Sequence, residues 1–293
     1  MMRRHVVIGV SGGKGGSGKS TVAVNLAISL TRYANRVLLV DSDVESPVDH
    51  ILLGLERMKI GDIEAFRPRI IEEKCIKCNQ CVDNCPEHAL VGLPGRLPVL
   101  MGELCSGCKA CFYVCPMKVI MEDRVSIGSL YEMVHENLKV IQGELNPGFR
   151  QYVNVTVDTI DVAMKLRGEF DYIVIDTAPG TGASIYVALS PADLVLAVTE
   201  PTPLGANDLS MLLELMRKME KKTYIVLNKA DMPGGKKDLI YDVAERYNTS
   251  VIFEIPYSEQ IMQVYFRGHM IKTGDDSVRK IFDDLARRVL DFL

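Results

Sequence analysis

The feature that most constrains this chain is a glycine-rich run that separates an apolar segment from a helical pattern near the N-terminus. Residues 6–10 predict a fully buried strand, and apolar positions from Lys19 onward recur with the spacing of a packed helix. Between them, residues 13–20 fit the pattern G-x-x-x-x-G-K-[ST] in the strand–loop–helix order that a phosphate-binding loop requires. The alternative is an ordinary glycine-rich turn, but the strand and helix on either side favour the phosphate loop.

The residues of this loop are candidates for contact with a nucleotide. Glycines permit a close approach of the backbone, and successive N–H groups together with the helix N-terminus face an anion. Lys19 would neutralise phosphate charge, and Ser20 would offer its hydroxyl to Mg²⁺. The predicted loop contacts are Gly13, Lys14, Gly15, Gly16, Ser17, Gly18, Lys19, Ser20 and Thr21.

A second lysine, Lys14, makes this phosphate loop unusual. The run Gly-Lys-Gly-Gly-Ser-Gly-Lys-Ser resembles the deviant Walker A loop of the MinD/ParA-type ATPases, a group that includes the nitrogenase iron protein and the Mrp-type iron–sulfur ATPases. In that family the early lysine reaches the nucleotide of the other subunit. The resemblance implies a nucleotide-dependent homodimer in which Lys14 and Lys19 act in catalysis. The alternative for Lys14 is a solvated loop lysine.

The eight cysteines all lie between residues 75 and 115 and form an internal repeat. Two copies of C-x₂-C-x₂-C-x₃-C-P are offset by thirty residues, and each copy is the run of a bacterial ferredoxin. Disulfides are disfavoured in a cytosolic protein, and a zinc site built from C-x₂-C pairs would not require the third cysteine, the fourth or the proline. The sequence therefore predicts two [4Fe–4S] clusters.

In the ferredoxin arrangement the fourth cysteine of each run ligates the other cluster. By that resemblance, one cluster would be held by Cys75, Cys78, Cys81 and Cys115. The second cluster would be held by Cys85, Cys105, Cys108 and Cys111. This crossing would join both halves into a ferredoxin-like insertion over residues 68–122.

Acidic residues stand where two further apolar segments end. Asp41 and Asp43 follow one predicted buried strand, and Asp176 ends another. An open α/β sheet binds ligands at the carboxyl ends of its strands, although one of these acids could simply cap the next segment. Both segments resemble the family's switch I and Walker B. The resemblance implies that Asp43 positions the attacking water, that Asp41 and Asp176 support Mg²⁺, and that the N–H of Gly180 senses the γ-phosphate.

The segment Asn228-Lys229-Ala230-Asp231 leaves the identity of the base open. N-K-x-D at a strand end resembles the motif with which GTPases recognise guanine, whose aspartate accepts hydrogen bonds from the base. In MinD-like ATPases an asparagine at this place recognises adenine, so Asn228 would accept from the adenine amino group and Asp231 would cap the loop. The rest of the chain favours ATP over GTP, and Pro256 resembles the family loop that covers the base.

Other segments carry weaker patterns. Leu130, Val134 and Leu138 predict a helix, and residues 153–157 predict a strand. The C-terminal segment is amphipathic, but its polar face mixes acids with bases, which favours packing on the sheet over a membrane surface. Further buried strands are predicted over residues 193–199, 223–227 and 251–255.

Composition narrows the classes of function. With 34 basic and 38 acidic residues the net charge is −4, which argues against a dedicated nucleic-acid binder. The sequence has neither a membrane-spanning apolar run nor a signal-peptide pattern, so we expect a cytoplasmic protein without stable membrane association. We expect an α/β fold, a doubly wound and mostly parallel P-loop NTPase sheet over residues 1–67 and 123–293, with the small α+β ferredoxin-like module inserted.

The expected function is MgATP hydrolysis that gates electron transfer through two [4Fe–4S] clusters. Two alternatives stay open: an assembly or carrier ATPase for iron–sulfur clusters, and a positioning or scaffold ATPase in which the clusters are structural. No motif identifies the protein that would donate or accept electrons.

Overall fold

The computed structural model describes residues 5–33, 36–268 and 276–293 and shows an α/β sheet covered on both faces. The strands in chain order are β1 (Val6–Ser11), β2 (Val37–Asp41), β3 (Met58–Ile70), β4 (Leu90–Val91), β5 (Val99–Leu100), β6 (Ile120–His135), β7 (Leu138–Leu145), β8 (Tyr172–Asp176), β9 (Leu194–Thr199), β10 (Thr223–Leu227) and β11 (Val251–Glu254). The helices are α1 (Lys19–Leu30), α2 (Asp49–Leu53), α3 (Gln80–Asp83), α4 (Ala110–Val114), α5 (Tyr152–Leu166), α6 (Ala183–Leu189), α7 (Pro203–Lys218), α8 (Lys237–Arg246), α9 (Glu259–Arg267) and α10 (Asp276–Leu290).

The main sheet has the order β11-β10-β9-β1-β8-β2-β7-β6-β3. Neighbouring strands from β11 to β7 are parallel, whereas β6 and β3 are antiparallel additions at one edge. Strand β1 lies near the middle of the sheet, between β8 and β9. This order confirms the expected P-loop NTPase fold, and it brings the carboxyl ends of β1, β2 and β8 to the same edge.

Apolar side chains pack on both faces of the sheet because consecutive strand residues point to opposite sides. Val7 belongs to the core covered by α5, α6, α7 and α8, and Ile8 belongs to the core covered by α1 and α10. Helix α10 contributes Phe282 and Leu285, both buried, to the second core. The expectation that the C-terminal segment packs on the sheet is therefore confirmed.

The helix predicted from Leu130, Val134 and Leu138 is wrong. These residues lie in β6 and β7, which pair as an antiparallel hairpin. A spacing of four residues satisfies the period of a strand as well as that of a helix, so a short apolar run does not separate the two. Pairing of β7 with β2 decides the outcome here, and Val134 is 59% exposed rather than part of a buried helical stripe.

The strand predicted over residues 153–157 is also wrong, because this segment is the first half of α5. The β-branched valines and threonine favour a strand locally. In the helix the hydroxyl of Thr156 donates to the carbonyl of Tyr152, and that of Thr159 donates to the carbonyl of Val155. These bonds let buried threonines pack against the sheet, so tertiary packing overrides the local preference.

Residues 71–119, here called the cysteine lobe, lie at the far end of the ribbon formed by β3 and β6. The lobe contains α3, α4 and the two-stranded sheet of β4 and β5. In its small core, Cys81, Leu90 and Cys111 of the lobe pack with Phe66 and Ile120 of the ribbon. The pairing of β3 with β6 continues to Ile70 opposite Ile120, so the ribbon runs through both limits of the predicted insertion.

Among the helices that the structure describes, none has the length and apolar character needed to cross a membrane.

Candidate functional site

The phosphate loop joins the end of β1 to the start of α1. Gly16 and Gly18 both adopt a φ of +90°, a backbone conformation that other residues rarely adopt. Gly13 lies so close to Asp208 that an added β-carbon would sit 2.1 Å from the Asp208 β-carbon. Helix α1 begins at Lys19 without a side-chain cap, so its first N–H groups are left to bind an anion.

A cavity of about 410 Å³ opens between the phosphate loop and α9. The predicted base contacts Asn228 and Pro256 line this cavity, whereas Asp231 is not part of its lining. Tyr265 and Phe266 of α9 line it as well, and they are 45% and 77% exposed. No motif pointed to these two aromatic residues, although rings at the mouth of a cavity are suited to stacking on a base.

Three carboxylates lie together beside the phosphate loop. Asp41 and Asp176 occupy matching positions on the neighbouring strands β2 and β8, and Asp49 follows at the start of α2. One oxygen of each lies within 4.8 Å of the others, and all three side chains are buried. Asp41 accepts the backbone N–H groups of Asp43 and Asp49, at 3.2 and 3.1 Å. Both carboxylate oxygens of Asp49 and of Asp176 have no hydrogen-bond partner among the described residues.

The three acids need protons or a cation because they are buried together. Burial raises the pKa of Asp176 to about 7, and the nearby Ser20 hydroxyl and Lys19 ammonium oppose that rise. Burial, followed by the charge of neighbouring carboxylates, raises the pKa of Asp41 and Asp49 well above the usual range. Carboxylate and hydroxyl oxygens are ligands that suit Mg²⁺. Asp49 was not predicted, because a lone aspartate at the start of a short helix matches no motif.

Two residues predicted to act on the phosphates, Lys14 and Gly180, instead interact with other residues of this chain. The Lys14 ammonium lies 3.6 Å from the carboxylate of Asp208, and the Lys14 side chain is 57% exposed. The N–H of Gly180 donates to the carbonyl of Gly12 at 3.3 Å. Lys14 is therefore turned toward α7, and Gly180 lies beside the phosphate loop. Asp43 is half-buried. Burial raises its pKa, and the positive charge of Lys19 opposes that rise.

The N-K-x-D segment is anchored to neighbouring backbone. The side-chain amide of Asn228 donates to the carbonyl of Ser17 at 2.9 Å, which holds this residue against the phosphate loop. One carboxylate oxygen of Asp231 accepts the backbone N–H of Tyr257 at 2.5 Å. Asp231 thus ties together the two loops that follow β10 and β11.

The eight thiols of the cysteine lobe gather into two sets, each lining its own cavity. The first set comprises Cys75, Cys78, Cys81 and Cys115. The second set comprises Cys85, Cys105, Cys108 and Cys111. Each set takes three residues from one copy of the repeat and the fourth from the other copy, because α3 packs against α4. The backbone N–H of Ala89 donates to the sulfur of Cys85 at 3.2 Å.

The sulfurs of each set are spaced more widely than a single ion would require. No three sulfurs of either set lie within 4.8 Å of one another. Among the described residues, only the three acids Asp41, Asp49 and Asp176 form a group of possible ligands that close. A tetrahedral zinc ion with bonds of about 2.3 Å would hold its sulfurs about 3.8 Å apart. Burial, together with the neighbouring thiols, raises the pKa of Cys111 to about 11. A bound cationic group is therefore what would stabilise the thiolates.

A phosphate loop on a mostly parallel sheet, with buried acids at two neighbouring strand ends, defines a P-loop nucleotide-binding protein. Residues 8–271 match the family described as the CobQ/CobB/MinD/ParA nucleotide binding domain, and this chain belongs to that family.

Three relatives show what the chain is similar to. It is 32% identical over 290 residues to an uncharacterised protein of Methanocaldococcus jannaschii, with 99% of each chain covered. It is 25% identical over 306 residues to the iron-sulfur cluster carrier protein of Pyrococcus furiosus, covering 98% of this chain and 86% of the relative. Its fold is that of the septum site-determining protein MinD complexed with Mg-ADP from Pyrococcus horikoshii, with a TM-score of 0.61, 17% identity, and 98% and 96% of the two chains covered.

Proposed function

We propose that this protein binds and hydrolyses MgATP, carries two [4Fe–4S] clusters, and uses the nucleotide state to gate electron transfer through them. The observation that carries the proposal is the arrangement of the eight cysteines as two crossed sets of four thiols, in the same chain as a phosphate loop. Crossed sets are what a two-cluster ferredoxin requires.

Family membership and the loop geometry support the nucleotide part of the proposal. The N-terminus of α1 and Lys19 would bind the β- and γ-phosphates, while Ser20, Asp41 and Asp176 would hold Mg²⁺ directly or through water. Asp43 would orient a water that attacks the γ-phosphorus as the bond to the β–γ bridging oxygen breaks. A second copy of the chain would add its Lys14 to the same phosphates, which requires Lys14 to leave Asp208.

The contacts of the N-K-x-D segment favour adenine over guanine. A guanine-reading aspartate needs its carboxylate free for two donors of the base, but one oxygen of Asp231 already accepts the N–H of Tyr257. Asn228 lines the cavity, and its side-chain oxygen, which accepts the N–H of Lys229 at 3.0 Å, keeps a second lone pair for the amino group of adenine. ATP should therefore displace a fluorescent nucleotide at much lower concentration than GTP does.

The cysteine lobe would hold the two clusters by its own residues. Each set supplies four thiolates, and apolar side chains such as Phe66, Leu90 and Ile120 limit the access of water. The N–H of Ala89 would lower the electron density on the sulfur of Cys85 and so favour the reduced state. Each cluster, when bound, can take up and release a single electron.

Anaerobic purification followed by iron and sulfide analysis tests whether the clusters exist. We expect about eight irons and eight sulfides per chain, four of each for each predicted cluster. Far fewer irons would overturn the cluster part of the proposal. Gating is tested by redox titration with and without a non-hydrolysable Mg–ATP analogue. If the analogue changes neither cluster potential, and MgATP does not change the rate at which an acceptor is reduced, the clusters are structural and the chain is a scaffold ATPase.

The similarity to the iron-sulfur cluster carrier protein of Pyrococcus furiosus supports a second candidate, delivery of clusters to other proteins. Against it, all eight cysteines of the sequence already belong to the two sets, so none remains elsewhere for a labile cluster. Incubation of loaded protein with an apo-ferredoxin and MgATP distinguishes the candidates. A carrier loses iron to the acceptor, whereas an electron-transfer protein keeps it.

A further inference from the structure

The loops of the two cysteine sets differ in their contacts with the α/β body. Residues 102–108, here called the second cysteine loop, are held by Gln151, whose side-chain amide donates to the carbonyl of Cys105. Residues 72–78, the first cysteine loop, are followed by Asn79, which packs against Gly92 inside the cysteine lobe. The second loop therefore contacts the α/β body directly, through a residue that precedes α5.

Gln151 is buried and hydrogen-bonded rather than exposed on the surface. Its side chain is 6% exposed, although it is a polar residue. Its side-chain oxygen accepts the N–H of Arg150 at 3.2 Å, which turns the amide nitrogen toward Cys105. A buried amide with both ends engaged is held in one orientation.

The segment that precedes Gln151 is hydrogen-bonded to the residue that follows Asp43 of the nucleotide site. Val44, which directly follows Asp43, is 2% exposed, and its carbonyl accepts the N–H of Leu145 at 2.8 Å. The packing is dense there, since a β-carbon added to Gly143 would lie 3.1 Å from a methyl group of Val44. Leu145 is the last residue of β7, and Gln151 follows it by six positions.

We infer that Gln151 is a positioning residue that links the nucleotide state to the second cysteine set and not to the first. A change at Asp43 on binding a γ-phosphate would move the carbonyl of Val44, and Leu145 would follow because of their hydrogen bond. The segment from β7 to α5 would then shift Gln151 and, with it, the backbone of Cys105. The inference rests on the proposed function, because it assigns nucleotide gating to one of the two predicted cluster sites.

Hydrogen–deuterium exchange on the anaerobically purified, iron-loaded full chain tests this link. Exchange is compared with and without a non-hydrolysable Mg–ATP analogue. In the wild type we expect about a fivefold slowing of exchange in residues 102–108 and in residues 43–49, with little change in residues 72–78. Gln151→Met and Gln151→Glu both remove the donated hydrogen bond, and Gln151→Glu retains the oxygen that accepts from Arg150. In both variants the change at 102–108 should disappear, while the change at 43–49 persists.

Gln263→Met makes the same chemical change at an exposed position on α9, and it should behave as the wild type does. The inference is overturned if residues 102–108 respond equally in both Gln151 variants. It is also overturned if the first loop responds as strongly as the second in the wild type, or if 43–49 responds and 102–108 does not. Iron analysis of the same samples separates these outcomes from a failure of the proposed function, which would show as missing iron. A thermal unfolding midpoint within a few degrees of the wild type verifies that each variant is folded.

Discussion

The nucleotide site and the cysteine lobe of this protein are ordered by different means. The phosphate loop stands on a sheet with a packed core on each face, and strands such as β2 and β9 are buried along their whole length. The core of the lobe has five residues, and two of those are cysteines. From this comparison we expect packing to preorganise the phosphate loop, and we expect the order of the lobe to depend on the clusters proposed for its thiols.

Removal of iron gives the sharpest test of this comparison. Chelation should raise hydrogen exchange in residues 71–119 by roughly three orders of magnitude, because a bound group contributes local folding free energy. Exchange in β1, β8 and β9 should change by less than about twofold, since their cores do not involve the lobe. A lobe that keeps its protection without iron would show that apolar packing is sufficient there.

Asp43→Asn should impair the nucleotide site and leave the cysteine lobe unchanged. We expect ATP hydrolysis to fall about 10²-fold, because the attacking water loses its positioning group. Nucleotide affinity and iron content should stay at the wild-type level, as measured by calorimetry and colorimetric iron analysis. The matched control is Asp62→Asn, which removes an exposed carboxylate of β3 that pairs with Lys59 at 2.6 Å. Loss of iron from Asp43→Asn would mean that the lobe and the nucleotide site are not independently ordered.

Asp49→Asn tests whether the buried acids are arranged for a cation. The affinity of the nucleotide complex for Mg²⁺ should fall about tenfold, as is typical when a supporting group of a metal site is lost. Titration of the complex with Mg²⁺ measures this directly. An unchanged affinity would assign Asp49 no part in holding the ion.

The same variant should be more stable than the wild type when no metal is present. Burial, followed by the charges of Asp41 and Asp176, raises the pKa of Asp49 well above its ordinary value of 3.8, so near neutral pH the metal-free folded protein binds a proton that the unfolded chain releases. The contribution of this carboxyl to stability is therefore greatest below about pH 4 and is lost as the pH rises toward the raised pKa. Asp49→Asn removes this titrating group, and its advantage in unfolding free energy should grow from near zero at pH 4 to about 1 kcal/mol at pH 7. Denaturant unfolding in EDTA at several pH values measures this difference.

The smallest expected effect is that of Asp208→Asn. Lys14 is largely exposed, so its pair with Asp208 is weak, and releasing it should tighten nucleotide-dependent dimerisation by about two- to fivefold. To measure the effect, sedimentation of the Asp43→Asn variant with MgATP is compared with that of the double variant Asp43→Asn, Asp208→Asn. Glu214→Gln on the same helix removes an exposed pair with Arg217 and serves as the control. Weaker dimerisation of Asp208→Asn would indicate that Asp208 positions Lys14 for the second copy rather than restraining it.

Short-range patterns explain what the sequence predicted well. The phosphate loop, the buried parallel strands and the acids at their ends each depend on fewer than about ten consecutive residues, and the structure brings Asp41 and Asp176 together as neighbours. Each cysteine run is nearly as local, and the crossing of the two sets was predicted from the resemblance to ferredoxins.

Long-range contacts explain what the sequence did not predict. Asp49 and Gln151 carry no motif, and each gains its place from a partner distant in the chain, such as Cys105 for Gln151. The helix predicted over β6 and β7 and the strand predicted over the start of α5 failed for the same reason, because long-range packing and pairing decided the outcome.

The ribbon of β3 and β6 has a mechanical consequence. Pairing of β6 with β7 stops at Gly128, whereas pairing with β3 continues to Ile120, an overhang of eight residues or about 26 Å. A rotation of roughly 5° at Gly128, where β6 stops pairing with β7, would displace the other end of this overhang at Ile120 by about 2 Å. No flexible linker would have to bend. For the two proposed clusters, a displacement of this size would change their distance to a docked electron acceptor, and with it the rate of electron tunnelling.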